Sequence, residues 1–414
     1  MMGHYVLQGA TRSGLRTVNA ARCAMLSAVA PLGSEVLALD DAFGRVLAQD
    51  VFARRDQPPY AASSMDGYAV RAADTPTTLQ VIGESAAGRG FEGCTKAGAA
   101  IRISTGAPLP DGLDVVVPQE DAVREGDSVT VPAVRTGQHV RLRGGDFTAG
   151  ALLLSAGRKL DGVALALAAA SGSASVAVAR RPCLAILCSG DELVEPGGAP
   201  GPYQIFDSAT HGIAALIRHW GGIPRRLVLA RDSSESIAAA AEDALRGSDL
   251  LVVLGGASVG DHDLARAALQ RLGLAFAVEN IAVRPGKPTW FGVTPQGPVL
   301  GLPGNPASAL VCARIFLQPL IEAMLGRDPL ACVGFHLARL SHPLPANGPR
   351  EQYLRAHVGV DDEGRLSVRA FENQDSSLLS VFADANVLVR LAPNAATLEA
   401  GALVDVLLLD MPGC

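Results

Sequence analysis

LLVVLGGASVGDHDL, residues 250–264, decides how this 414-residue chain is read. Residues 250–254 are consecutive apolar side chains closed off by Gly255 and Gly256. So short a run suits a strand buried on both faces in a parallel sheet better than a helix. From Asp261 onward, Leu264, Ala265, Ala268 and Leu272 recur at the three-and-four spacing of a helix lying on that sheet. Gly255, Gly256 and Gly260 then sit where backbone amides and a helix start can face a phosphate with no Cβ in the way. Asp261 and Asp263 admit two readings: caps for free helix amides, or carboxylates holding magnesium beside a phosphate. Residue types do not separate the two, but three further loops of similar character favour the second.

Composition bounds the class. Hydrophobic residues make up 49% of the chain, charged ones 18% and aromatics 4%, with a net charge of −6. Cores must be built from Ala, Val and Leu, and about three or four domains are expected. The acidic balance argues against general nucleic-acid binding, so an anionic ligand must be held by a few local cations. No continuous apolar run reaches the roughly 18 residues of a membrane span, and no basic segment followed by an apolar one opens the chain, so a cytoplasmic location is expected. The seven cysteines are scattered without Cys-x-x-Cys or His pairing and read as reduced core residues rather than zinc ligands.

Residues 15–30 and 34–50 show helix-like apolar spacing. Met65-Asp66-Gly67-Tyr68 is a turn entering an alternating strand, either a plain hairpin entry or a way to present a carboxylate. Short strands near 78–82, 100–103, 115–118 and 128–131 indicate a β-rich module, with Thr105 at a strand end before a Gly-Ala-Pro turn. A helix at 162–171 and a strand at 175–178 follow. From position 180 strands and helices alternate: strands at 183–188, 226–230, 250–254 and 276–283, helices at 208–220 and 234–245, strands at 289–293 and 299–301, and a helix at 306–325. That pattern means a doubly wound, mostly parallel sheet, whose ligands bind beyond the carboxyl ends of its strands. Glu192, the loop of residues 255–263 and the loop of residues 303–308 all fall there. Arg284-Pro285-Gly286-Lys287 offers two cations in one turn, and Pro306 opens a helix whose first amides can meet an anion. After about residue 328 the pattern is β again, around 335–340, 353–358, 366–370, 387–391 and 403–408.

Taken together, Met65-Asp66-Gly67-Tyr68, Thr105-Gly-Ala-Pro, Ser189-Gly-Asp-Glu192, the 255–263 loop, Pro285-Gly-Lys287-Pro and Gly301-Leu-Pro-Gly-Asn-Pro306 resemble the molybdopterin molybdenumtransferase family, to which the carboxyl-terminal part of gephyrin is related. The resemblance runs from about residue 15 to 410. It implies a multi-domain α/β protein: an elongated domain from residues 1–50 and 145–179, an inserted β-rich domain at 51–144, the doubly wound domain at 180–327, and a β-barrel-like domain at 328–414. It implies a transferase that inserts molybdate into adenylylated molybdopterin and releases AMP with magnesium. It also implies a homodimer whose cleft lies between the doubly wound domain of one subunit and the first and last domains of the other. The adenylyltransferase that makes the substrate and molybdoenzyme maturation proteins are the partners it suggests.

Carried onto this chain, the resemblance makes Asp66, Thr105, Glu192 and Lys287 catalytic candidates. Gly255, Gly256, Ser258, Gly260, Pro303 and Pro306 become substrate-binding, Arg284, Ser308, Arg355 and Ser376 donors toward molybdate, and Asp263, Asp232 and Glu192 metal ligands. The family commonly has Asp-Asn where this chain has Ala61-Ala62, Asn at Ala209, Lys at Arg284 and Gly at Asp375. A carboxylate at Asp375 makes the anion site less positive if it faces the cleft. Two other readings stand beside the transferase. A molybdopterin adenylyltransferase shares the doubly wound domain but usually lacks the flanking ones, and a non-catalytic scaffold of the gephyrin type would bind a partner instead.

Overall fold

The computed structural model describes residues 14–227, 229, 230, 233–255 and 264–409. They form two units, one spanning residues 36–178 and the other holding the described residues on either side of it.

In the first unit, six strands form a sheet in the order Val115–Pro118, Gly67–Val70, Ala99–Ile103, Thr77–Ser85, Ser128–Val131, Val123–Glu125. Val115 and Val117 join a core with Tyr68, Val70 and Leu79 on one face. Val116 joins Ala69, Ile101 and Ile103 on the other. With both faces covered, the strand is apolar at successive positions rather than alternating. A separate core gathers Ala42, Leu47, Leu160, Val176 and Val178 against the helix Gly162–Ala170. The helix expected over residues 34–50 is absent. Ser34–Ala38 is a strand paired with Ser175–Ala179, and one 3-10 turn, Leu39–Asp41, follows. Gly44, at a φ of +73°, would interrupt any helix there.

In the second unit, the main sheet runs Ile223–Arg226, Cys183–Cys188, Leu250–Leu254, Gly297–Leu302, Trp290–Thr294, Ala275–Val278. The first four strands are parallel and the last two pair antiparallel. The edge strand expected at 226–230 ends at Arg226. Residues 250–254 are fully buried, as their unbroken apolar character requires, each such side chain contributing roughly 1.5–3 kcal/mol. The helices Ser234–Leu245 and Leu264–Arg271 cover one face through Ile237, Ala241, Ala265 and Leu269. From Cys183–Cys188 the chain goes out to the edge strand and then crosses back to Leu250–Leu254. The topological switch point therefore falls between these two central strands.

The helix Pro306–Met324 has the length and composition to cross a bilayer, but 94% of that stretch is buried inside the protein, so it is a core helix. Beyond it, Glu351–Val360, Leu366–Ala370, His336–Leu340, Leu403–Leu408 and Val387–Leu391 pair in turn, and the last pairs back with the first. That ring is a closed five-stranded barrel, filled by Ala338, Leu340, Leu354, Val368, Val389 and Val406, and closure leaves no unpaired edge around it.

Candidate active site

Register decides where the loops emerge. Cys188 pairs with Leu254 and Leu254 with Leu302, so three parallel strands end level, and Ser189, Gly255 and Pro303 begin neighbouring loops on the carboxyl edge. The loop of residues 284–288 reaches the same place by antiparallel pairing. Trp290 stands opposite Gly301, which brings the residues before Trp290 beside those after Leu302. Only glycine fits at 301, because a Cβ would lie 2.0 Å from Trp290 Cε2. The same loop is tied to the barrel, since Val283 and Arg284 pair in parallel with Glu351 and Gln352.

Two cavities open at this edge. The first, about 550 Å³, is lined among others by Ser189, Gly190, Glu192, Asp207, Gly255 and Pro306, a volume in the range of small-ligand sites. The Glu192 carboxylate folds back over Gly190, filling the space that a Cβ on Gly190 would need. Asp207, 2% exposed, accepts from the Thr210 amide at 3.1 Å and from the Thr210 hydroxyl, and Arg226 Nη2 lies 3.4 Å from it. Arg226 also binds Glu195 at 2.9 Å. Burial, reinforced by the Asp207 and Glu192 carboxylates, pushes the Cys188 thiol in this wall up to about 12. It is a neutral wall group and not a nucleophile.

The second cavity, about 370 Å³, is cationic: Arg284, Lys287, Arg350 and Arg355 line it with Ser308 and Ser376, and Asp375 is the one carboxylate among its described lining residues. Arg355 is 3% exposed and braces the loop after Leu366–Ala370. Its Nη1 donates to the Leu378 carbonyl at 2.7 Å and its Nη2 to the Asp375 carbonyl at 2.8 Å. Burial lowers its pKa from the ordinary value, yet a guanidinium keeps its charge. The Asp375 Oδ1 accepts from the Ser377 hydroxyl at 2.6 Å and the Ser377 amide at 2.8 Å. Those bonds hold its carboxyl below the usual range. The extra negative charge at this position does line the cavity, but it is engaged by its own loop. Pro288, Pro303 and Asn305 line both cavities.

In the unit of residues 36–178, Asp66 Oδ1 accepts from the Thr105 amide at 2.7 Å, and both residues are exposed. Gly67 makes this turn possible, as a Cβ there would lie 1.9 Å from the Val117 carbonyl oxygen. Ala62 is buried in a strand, so this departure from the family pattern fills a core position.

Glu192, Gly255, Pro303 and Pro306 thus line the first cavity, and Arg284, Lys287, Pro303, Ser308, Arg355 and Ser376 the second. Gly256, Ser258, Gly260, Asp232 and Asp263 lie outside the described residues. Two expectations need correction. The barrel lining the second cavity belongs to the same chain as the sheet, because the pairing of residues 283–284 with residues 351–352 joins them. Cys23 and Cys94 are exposed rather than core residues, although all six described cysteines are free; Cys23 lies on the outward side of the helix Val18–Leu26, whose buried side carries Val18, Ala21 and Met25, and Cys94 lies in a loop. Arg350, Asn305 and Asp207 were missed. Asn305 sat within a quoted motif, whereas Arg350 has no local signal and reaches the cavity through long-range strand pairing.

Fold and cavities define a class: a doubly wound sheet with a barrel that completes a cation-lined cavity on its carboxyl edge. Family models match in three consecutive stretches. The MoeA N-terminal region (domains I and II) covers residues 16–172, a probable molybdopterin-binding domain residues 185–323, and the MoeA C-terminal region (domain IV) residues 337–409. A molybdopterin molybdenumtransferase of Nostoc is 34% identical over 92% of this chain and 89% of its own length. That of Haemophilus influenzae is 32% identical over 94% and 98%. The crystal structure of a molybdopterin biosynthesis MoeA protein from Pyrococcus horikoshii superposes with a TM-score of 0.81 at 32% identity, covering 95% of this chain and 99% of that one. The chain belongs to the molybdopterin molybdenumtransferase (MoeA) family.

Proposed function

We propose that this protein is a molybdopterin molybdenumtransferase, which inserts molybdate at the dithiolene of adenylylated molybdopterin and releases AMP. The observation that carries this reading is the pair of adjoining cavities. The first has the size and the carboxylate edge for a pterin and its pyrophosphate. The second has four cationic side chains for a dianion, and Pro288, Pro303 and Asn305 line both, so the two substrates can meet at that border. The matches on both sides of the molybdopterin-binding stretch favour the transferase over a stand-alone adenylyltransferase, and nothing favours a scaffold.

Lys287 and Arg284 are the exposed cations of the second cavity and stabilise the molybdate dianion and developing leaving charge. Ser308 and Ser376 supply hydroxyl donors. Glu192 orients the attacking oxygen or binds metal, and Asp66, in the unit of residues 36–178, is proposed as a further group needed for activity. Magnesium is part of the proposal. Its hard-oxygen preference suits Glu192 with Asp263 and Asp232, phosphate oxygens completing the shell. When bound, magnesium would neutralise pyrophosphate charge.

A homodimer is proposed as well. The helix Gly162–Ala170 contains only Gly, Val, Ala and Leu, yet buries only Ala164 and Ala168, leaving Val163 74% exposed, a surface that calls for a partner. Free cysteines, two of them exposed, fit the proposed cytoplasmic setting. The adenylyltransferase as substrate donor and molybdoenzyme maturation proteins as product acceptors complete the proposal.

The test is AMP release from adenylylated molybdopterin by the purified protein, with and without molybdate and magnesium. Molybdate-dependent release that falls at least about 100-fold in Asp66→Ala is expected. Retention of the intact nucleotide by wild-type protein would refute the transferase reading.

A further inference from the structure

We propose that Asn305 is a positioning residue that fixes the Ser376 hydroxyl as a hydrogen-bond donor toward the oxyanion at the border of the two cavities. The inference rests on the transferase reading and concerns how the oxyanion subsite is tuned.

Among the described residues, three line both cavities: Pro288, Pro303 and Asn305. A proline has neither an amide proton nor a polar side chain, so Asn305 supplies the side-chain hydrogen-bonding group of this partition. It occupies the N-cap of the helix beginning at Pro306, where an asparagine oxygen ordinarily accepts from the helix's own amides. It makes no such bond. Its Nδ2 instead reaches 3.0 Å to Ser376 Oγ, linking the sheet loop to the barrel loop.

The polarity of that bond has a consequence. An amide nitrogen only donates, so Ser376 Oγ accepts from it and must direct its own proton elsewhere. The loop carrying Ser376 has little freedom to compensate, because Arg355 holds the carbonyls of Asp375 and Leu378 and Asp375 caps Ser377. The acceptor on offer in a cavity lined by Arg284, Lys287 and Arg350 is a bound oxyanion, which accepts at every oxygen when fully deprotonated. Were Asn305 replaced by an acceptor, the Ser376 proton would turn toward it and the donor would be lost.

Five proteins test this: wild type, Asn305→Ala, Asn305→Asp, Ser376→Ala, and Ser376→Ala combined with Asn305→Ala. Molybdate half-saturation and kcat are read from AMP release, and molybdate and tungstate affinity from calorimetry without the pterin substrate. Asn305→Ala should weaken oxyanion affinity by about three- to tenfold, the range of one net hydrogen bond, with kcat within about twofold. Asn305→Asp should weaken it further. In the Ser376→Ala background, Asn305→Ala should add less than about twofold. Full additivity of the two alanine variants, or unchanged affinity in both Asn305 variants, overturns the proposal. So would a loss of kcat and thermal midpoint with affinity intact, the mark of a merely structural role. If wild type binds oxyanions but releases no AMP, the transferase reading fails while the calorimetric cycle still decides this one; if it binds no oxyanion, this proposal fails.

Discussion

Gly286→Ala probes the anion loop where the backbone is least tolerant. Gly286 has a φ of +111°, and a Cβ there would lie 2.1 Å from the Sγ of Cys312, a residue with no solvent exposure. Two costs arise. Placing a non-glycine residue at this φ costs about 1 kcal/mol or somewhat more. Forcing a methyl into the packed sulfur costs about 1–3 kcal/mol, because cysteine has a single side-chain torsion with which to move aside. A total near 3 kcal/mol corresponds to a fall of roughly 6–12 °C in the unfolding midpoint of a unit this size. The alternative to unfolding is displacement of the loop, which carries Lys287 away from the cavity and raises the molybdate half-saturation.

Double substitution separates the two costs. Cys312→Ala alone removes a buried sulfur that accepts from the Thr289 hydroxyl at 3.3 Å, at about 1 kcal/mol. In the Gly286→Ala, Cys312→Ala protein the new methyl occupies the vacated space, leaving mainly the φ cost. The double variant should therefore be more stable than Gly286→Ala by about 1–2 kcal/mol, a coupling that contacting sites show and distant ones do not. Differential scanning calorimetry and molybdate titration measure both arms. A Gly286→Ala protein with wild-type midpoint and wild-type half-saturation, or a double variant in which the costs simply add, would refute the reasoning.

Two further predictions follow from burial and charge. A maleimide pulse at neutral pH, mapped by mass spectrometry, should label exposed Cys23 and Cys94 well before Cys188, Cys312 and Cys332, whose thiols burial pushes up to about 12; early labelling of Cys312 would contradict its place beneath the anion loop. The Asp375 carboxyl is held below its ordinary 3.8 by the Ser377 hydroxyl and amide, so its contribution to loop order is complete above that value and disappears only as the pH falls through the lower folded value. Hydrogen exchange of residues 373–378 should therefore show flat protection from about pH 5 to 8 after correction for intrinsic rates, and a step within that window would contradict the Asp375–Ser377 contact.

Much of this arrangement is local and was legible as sequence. The strand of residues 250–254 announces itself by an apolar run bounded by glycines, and the helix expected at 234–245 forms with those bounds, capped in the structure by Ser233, whose hydroxyl accepts from the Ser236 amide at 3.2 Å. The loops at 189, 255 and 303 could be placed together because parallel strands that end level put their following loops side by side. What stayed hidden depends on pairing between distant segments. Residues 34–50 carry apolar positions compatible with a helix, and their strand is stabilised by Ser175–Ala179, far along the chain. Arg350 becomes a site residue only because Glu351 pairs with Val283, and the buried state of Arg355 only because its loop closes over it.

That long-range pairing also bears on why the chemistry needs more than the doubly wound domain. The first cavity is lined by residues 188 to 306 and would survive in a protein consisting of that sheet alone. The second takes Arg350, Arg355, Gln374 and Ser376 from the barrel and its loops. Without the barrel, Arg284 and Lys287 would face water, where ion pairing with a dianion is screened and weak. With it, four cations, one of them a buried guanidinium, share a cavity, and the attraction grows as the surrounding medium becomes less polar. On the proposed reading, concentrating molybdate next to the nucleotide held at the sheet's edge is what the docked barrel adds.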